Sequence, residues 1–305
     1  MITTPNAGPR LTHLDKVLWP PSPEAPCGFS KGDLVRYLAA VAPYVLPHLT
    51  DRPLVLTRYP HGITGSRFYQ KNLPATAPAW LTHYTHRSGS GRLVRYLVAR
   101  APVDLVWLGQ QAAIEFHPWL AQTEDPEHPD RAVIDLDPMP PSGFEDARDV
   151  ARVVAGILAW AGIRFWVKTS GATGLHFFIP VRRGPRWREV ADAIRAVGIM
   201  VAHRWPARVT LERAVQRRGG RVYFDYLQNG PGKTLCAPYS PRPLPGAPIS
   251  MPIAWSEVDR VDPGRWTLAT VPPRLAAAGD AWADLPGAPG QDLAPLRDLL
   301  HQAPR

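Results

Sequence analysis

A mixed α/β (α+β) fold around a split four-stranded sheet is predicted by three features of residues 131 to 227. Strand-length apolar runs recur, two segments repeat apolar residues at three- and four-residue steps, and the order is strand, helix, strand, strand, helix, strand. That order is the ferredoxin-like, or RNA-recognition-like, arrangement. The first strand is Ala132-Val133-Ile134-Asp135-Leu136-Asp137, closed by Pro138. Ser142 and Glu145 read as a capping box opening a helix, whose stripe of Val150, Val153, Val154, Ile157, Leu158 and Ala161 ends at Gly162. Ile163 to Thr169 is the second strand, Ser170 to Gly174 a turn and Leu175 to Val181 the third strand, making a hairpin. Trp187, Val190, Ala191, Ile194, Val197 and Val201 mark the second helix, and Arg221 to Leu227 the fourth strand. The first and third strands should be central, with the fourth beside the first.

Asp135 and Asp137 end an otherwise apolar run, and side chains alternate faces at roughly 3.3 Å per residue. Both carboxylates therefore leave one face about 6 to 7 Å apart. An Asp at a strand end can simply cap the next turn. The expected strand order, however, places Asp225 beside the pair and His176 on their other flank. Three carboxylates and a histidine converging from distant segments point to divalent cations, as in two-metal phosphoryl transfer.

Lys168-Thr169-Ser170-Gly171-Ala172-Thr173-Gly174-Leu175-His176 gathers hydroxyls, glycine-permitted amides and a cation in one turn. Phosphate oxygens suit all three. It is not a Walker loop, which needs Gly-x-x-x-x-Gly-Lys-Ser/Thr. Alone it reads equally as an ordinary Gly-rich hairpin; beside three aspartates, phosphate binding explains it better.

The chain has 305 residues, 45% of them hydrophobic, with 36 prolines spread through it, so a substantial core and little disorder are expected. Cys27 and Cys236 stand far apart without a Cys-x-x-Cys companion, which excludes a zinc-finger or disulfide framework. Met1 to Arg10 is polar and no apolar stretch reaches about 20 residues, so a cytoplasmic protein away from membranes is expected. Lys plus Arg number 35 against 26 Asp plus Glu, a formal charge of +9. Such a surface favours polyanions, although arginine-rich proteins are also basic without binding nucleic acid. Only Lys16, Lys31, Lys71, Lys168 and Lys233 are lysines, and the compact ammonium differs from guanidinium at a phosphate.

Together these residues resemble the polymerase domain of bacterial ATP-dependent DNA ligase D, a branch of the archaeo-eukaryotic primase superfamily. The resemblance runs through Leu11 to Lys16, Phe29 to Asp33, Arg58-Tyr59-Pro60, Phe68 to Lys71, Glu115 to Trp119, Asp135 to Pro138, Lys168 to His176, Asp225 to Asn229, Tyr239 to Arg242 and Pro252 to Trp255. It implies a primase-polymerase fold, with the RNA-recognition-like catalytic module (131–270) packed on an N-terminal α/β module (1–130) and a Pro-rich helical extension (271–305). Asp135, Asp137 and Asp225 match its metal triad for Mn²⁺ or Mg²⁺. Ser170 and His176 match phosphate contacts, His117 and Arg242 further nucleotide contacts, and Lys168, Gly171 and Gln228 are grouped with them. Lys16 and Lys31 match lysines gripping a 5′-phosphate across a gap, and Phe68 and Tyr69, beside Arg58 and Lys71, match aromatics that stack on template.

An aromatic pair belongs in a core as readily, and Trp107, Trp119, Trp160, Trp166 and Trp255 are expected there. His13 departs from a frequent asparagine, Thr173 from a frequent basic residue, and the loop from Pro20 to Gly28 is long. No Lys-x-Asp-Gly ligase signature occurs, which suggests a stand-alone polymerase domain. The implied activity is ribonucleotide addition to 3′ ends at gaps or double-strand breaks in the nucleoid, with Ku and a separate ligase as partners. A primase, a gap-filling polymerase outside end joining, a metal-dependent nuclease and a non-catalytic DNA end-bridging protein are the rival readings.

Overall fold

The computed structural model describes residues 8–302. The N-terminal part opens with β1 (Val17–Trp19) and β2 (Phe29–Ser30), an antiparallel pair leading into α1 (Lys31–Leu49). Ser30 caps that helix: its hydroxyl accepts from Asp33 N–H, and Asp33 accepts from Ser30 N–H at 2.7 Å. A second sheet follows from β3 (Leu54–Arg58), β4 (Phe68–Gln70), β5 (His83–Arg87), β6 (Leu93–Leu97) and, after α2 (Pro102–Gln110), β7 (Ala113–Pro118). Here β3 pairs antiparallel with both β4 and β7, placing Tyr69 opposite Thr57 and His117 opposite Val55.

The main sheet contains β8 (Arg131–Asp137), then α3 (Phe144–Trp160), β9 (Trp166–Thr169), β10 (Leu175–Pro180), α4 (Trp187–Arg204), β11 (Val209–Thr210), β12 (Val222–Asp225) and β13 (Pro252–Ile253). Its order is β11-β12-β8-β10-β9-β13. The four expected strands therefore stand in the expected order, with a short strand added at each edge. Three of them are shorter than expected at their ends. The cap of α3 also differs: Gly143 is the N-cap and donates to Asp146 Oδ2 at 2.9 Å, while Ser142 Oγ donates to the Gly220 carbonyl at 2.6 Å. The Ser142/Glu145 box is thus displaced by one residue, because the Ser142 hydroxyl is taken by a tertiary partner.

Period-two alternation divides the sheet. Ala132, Ile134, Leu136, Phe177, Ile179 and Phe224 lie with the core that α3 and α4 cover. On the opposite face Val133, Trp166 and Phe178 pack with Leu120, Leu235 and the fully buried Trp282, whose indole donates to the Val167 carbonyl at 2.9 Å. Trp282 lies between α5 (Val271–Ala278) and α6 (Ala294–Gln302). Asn229 extends the pairing of β8 by a side-chain clamp, accepting from Val133 N–H and donating to Val133 C=O, both at 2.8 Å. Trp107, Trp119 and Trp166 are buried as expected, but Trp160 is 65% exposed and Trp255 40%, the former because it ends an amphipathic helix. No helix among the described residues is long and apolar enough to cross a membrane.

His48, in the last turn of α1, packs edge-on against Trp282 at 5.8 Å. Burial, with the charges of Arg131, Arg52 and Lys168 nearby, holds its pKa down at about 3, against 6.5 when unfolded. The unfolded chain thus takes up a proton that the folded chain refuses. Stability from this group is complete above pH 6.5 and is lost as pH falls toward 3. His48→Phe should flatten the acid limb of stability against pH across that window, measured by urea unfolding; an unchanged slope would place the acid sensitivity elsewhere.

Candidate active site

Strand register assembles the site. Asp225 is the cross-strand partner of Asp135, Asp135 of His176, and His176 of Lys168, so one row of four polar side chains crosses four strands. Cross-strand Cβ atoms lie about 5 Å apart, closer than the 6 to 7 Å between Asp135 and Asp137 along β8. Like charges at 5 Å repel by about 3 kcal/mol at an effective dielectric of 20, several times an exposed ion pair.

Protein donors offset part of this. His176 Nε2 lies 3.2 Å from Asp135 Oδ1. Asp225 Oδ1 accepts from Leu227 N–H at 2.8 Å and Tyr223 Oη at 3.2 Å, and its Oδ2 accepts from Gln228 Nε2 at 2.8 Å. Arg218 Nη1 reaches Asp137 Oδ2 at 3.1 Å, its guanidinium stacked 3.9 Å over Tyr223. Burial alone would raise Asp135, but His176, Lys168 and Arg242 outweigh it and hold its carboxyl low. Asp137 and Asp225 remain raised, first by burial and then by the charge of Asp135. Two of three carboxylates thus lack full compensation. Among the described residues no three acidic, His or Cys side chains close on one point, because each carboxylate is turned toward its own donor. The donor set is nonetheless hard oxygen on one face, which suits Mg²⁺ or Mn²⁺.

Asp135 and Asp137 line a cleft of about 270 Å³ with His176, Ser170, His117 and Arg242, while Asp225, paired beside Asp135 on β12, is not part of its lining. Gly171 adopts φ +72°, and a Cβ there would come within 2.6 Å of Arg242 Cγ; at Gly174 it would come within 2.2 Å of the Leu136 carbonyl. The hairpin was expected to offer its amides as an anion nest, but those of Ala172 and Gly174 donate to Ser170 Oγ at 3.1 and 3.0 Å. What Ser170 retains for the cleft is its hydroxyl proton. Lys168, expected at the phosphates, is 0% exposed and bonds His176 Nδ1 at 2.8 Å and Ser250 Oγ, so it stands behind the cleft. Burial drives its pKa down to about 7, while burial and Lys168 together hold His176 at about 4. Gln228 orients Asp225 and does not line the cleft.

Arg242 forms the far wall. Its Nη1 donates to the Ser170 carbonyl at 3.2 Å, and its Nε lies 3.2 Å from Glu115 Oε1. Glu115 Oε2 is 3.9 Å from His117 Nε2. Glu115 and Arg218 were missed as site residues in the sequence. Their partners are more than 80 residues away, and only the two pairings 115–242 and 218–137 reveal them.

Phe68 and Tyr69 are 43% and 54% exposed, so they are not core. They line a groove of about 440 Å³ with Lys71 and Arg92. Arg58 stacks 4.8 Å over Phe68 while bonding Gln70 and Gln111, and Lys71 sits 5.8 Å over Tyr69. Groove and cleft adjoin, since Tyr69 Oη is 3.3 Å from Thr234 Oγ1 and its ring 6.2 Å from that of His117. Lys16 and Lys31 form a separate basic point, where Lys31 N–H donates to the Lys16 carbonyl at 2.8 Å at the start of α1. Burial and then Lys16 lower the pKa of Lys31. His13 holds φ +51°, a region that His, like Asn, occupies more readily than most residues.

Residues 30–282 match the family described as LigD, primase-polymerase domain. The chain belongs to that family. The multifunctional non-homologous end joining protein LigD of Pseudomonas aeruginosa is 33% identical to this LigD-family chain over 297 residues, 96% of this chain and 35% of that protein. The Bacillus subtilis bifunctional non-homologous end joining protein LigD is 31% identical over 296 residues, 96% of this chain and 46% of that one. The LigD-family chain thus spans less than half the length of these relatives. The polymerase domain from Mycobacterium tuberculosis Ligase D in complex with DNA superposes with TM-score 0.81 at 31% identity, over 92% of this chain and 98% of that one. The family and the fold class drawn from the motifs are borne out.

Removing Glu115 leaves Arg242 without its carboxylate partner in a largely buried position. Glu115→Ala should cost about 3 kcal/mol of unfolding free energy, read by urea denaturation. A loss below 1 kcal/mol would show that Arg242 finds another partner or solvent.

Proposed function

We propose that the chain is a template-directed nucleotidyltransferase. It adds nucleotides, preferentially ribonucleotides, to 3′-hydroxyls at gaps or broken DNA ends in non-homologous end joining, with Ku and a separate DNA ligase as partners. One observation carries the reading: a cleft lined by Asp135, Asp137, Ser170, His117 and Arg242, with Asp225 paired beside Asp135 on the next strand, adjoins an exposed aromatic and basic groove. The relatives' names, and the DNA bound to the similar polymerase domain, support the same class.

In this reading Arg242, His176 and the Ser170 hydroxyl receive the triphosphate, and His117 flanks the nucleotide. Phe68 and Tyr69 stack on unpaired template bases, worth about 1 to 3 kcal/mol per base. Lys16 and Lys31 receive the 5′-phosphate beyond the gap. Asp135, Asp137 and Asp225 would hold Mn²⁺ or Mg²⁺, which supplies Lewis acidity to the attacking hydroxyl and neutralises developing phosphate charge. A carboxylate-bordered cleft has no use in a protein that only bridges ends.

The deciding experiment is extension of a 5′-phosphorylated gapped duplex with ribo- or deoxynucleotides and either metal. No incorporation under any combination overturns the proposal. Asp137→Asn should abolish extension while leaving the Kd for DNA within about twofold (about 0.4 kcal/mol), since it alters neither the aromatic groove nor Lys16 and Lys31; sustained extension would remove this carboxylate from the chemistry. Replacing Lys16 and Lys31 together by alanine should cut the preference for 5′-phosphorylated over 5′-hydroxyl gaps by about tenfold, the weight of one charged hydrogen bond. A surviving preference would move the phosphate site elsewhere.

A further inference from the structure

The polar row continues past His176 to a residue with no contact to the cleft. Lys168 is fully enclosed, with its Nζ 5.8 Å over the Phe178 ring. Ser250 donates its only hydroxyl proton to the Thr169 carbonyl at 2.9 Å, so its Oγ is an acceptor for Lys168. The second partner of Nζ is His176 Nδ1 at 2.8 Å. As an ammonium, with three protons and no lone pair, Nζ donates to both. The imidazole then has its lone pair on Nδ1 and its proton on Nε2, facing Asp135 Oδ1 at 3.2 Å. The reverse tautomer would set two lone pairs against each other across that gap.

Asp135 favours the same tautomer but has a competing role, as the carboxylate at the centre of the row. Lys168 approaches from the closed side, where nothing competes with it. Burying an amine against an aromatic ring is costly, and a methionine or leucine would fill the same space without that cost. We propose that Lys168 is a positioning residue that locks His176 as its Nε2–H tautomer, so that the one imidazole N–H, which here faces Asp135, is available as a donor to the phosphates of an incoming nucleotide once Asp135 takes up its competing role. The nucleotide consequence rests on the function proposed above; the tautomer does not.

The test is long-range ¹H–¹⁵N NMR of the histidine rings in the full chain, with the His176 signals assigned through His176→Asn. The expected spectrum has one His176 form, protonated at Nε2. Lys168→Met should produce a mixture of tautomers and raise the Kd for ATP with Mn²⁺ at least tenfold, while the Kd for gapped DNA stays within twofold. Ser250→Ala, which frees Nζ from its second anchor, should move both readouts the same way by a smaller factor, and it carries the test if Lys168→Met does not fold. An Nδ1–H form in the unsubstituted chain overturns the proposal, as does an unchanged tautomer and ATP affinity in the folded variants. If the unsubstituted chain binds no nucleotide yet Lys168→Met mixes the tautomers, the polymerase reading falls and the role of Lys168 stands.

Discussion

The register of β8 against its two neighbours is the constraint on which the rest depends. It brings Asp225, Asp135 and His176 into one row, which the β10–β9 register extends to Lys168. A slip of one residue would turn every member of a strand to the opposite face, setting carboxylates among Ile134 and Phe224. Apolar packing on both faces forbids the slip. Helices α3 and α4 bury one set of alternating residues, and Trp282 with Leu120 and Leu235 buries the lower half of the other. Asn229 then pins Val133 at the point where the β12 ladder stops. The energy that holds the site in register is therefore hydrophobic, although the site itself is polar.

The same economy joins the two sheets. The segment from Ala237 to Arg242 is held on the N-terminal side by Phe116 C=O, which accepts from Ala237 N–H at 2.8 Å, and by Ser240 Oγ, which accepts from Phe116 N–H at 3.0 Å. Tyr37 Oη donates to the Tyr239 carbonyl at 2.8 Å, and the Trp19 indole donates to the Arg242 carbonyl at 3.0 Å. Arg242 thus has its backbone fixed by β1, its side chain by Glu115 from β7, and its reach directed at the hairpin after β9. Carboxylates come from one sheet and their facing guanidinium is aimed by the other. Neither sheet holds a complete cleft.

Much of this was readable beforehand, for identifiable reasons. Strand order and the meeting of Asp135, Asp225 and His176 follow from local apolar runs plus the geometry of a split sheet, both short-range signals. The place of Lys168 could have followed from the same alternation, since it shares a face with its register partner His176; the Gly-rich turn beside it drew attention to phosphates instead. Ser142 was misassigned because a cap signature cannot foresee a tertiary acceptor at Gly220. Glu115 and Arg218 lay beyond local reading, because what defines them is a partner across 127 or 81 residues. The N-terminal sheet offers short, half-exposed strands such as Phe68–Gln70, whose pattern carries little periodic signal.

Charge explains why so basic a chain concentrates acid here. The overall excess of +9 draws a polyanion to the surface, yet the cleft it would enter is bordered by carboxylates. The local cations are already committed: Arg218 to Asp137, Arg242 to Glu115, Lys168 to the back of His176. A neutral His176 contributes direction rather than charge. A triphosphate arriving in this cleft would add negative charge to a set of carboxylates that two raised pKa values show to be under-compensated. Attraction to the surface and repulsion at the centre would be reconciled by positive charge entering with the substrate, which is the place the proposed Mn²⁺ or Mg²⁺ would take.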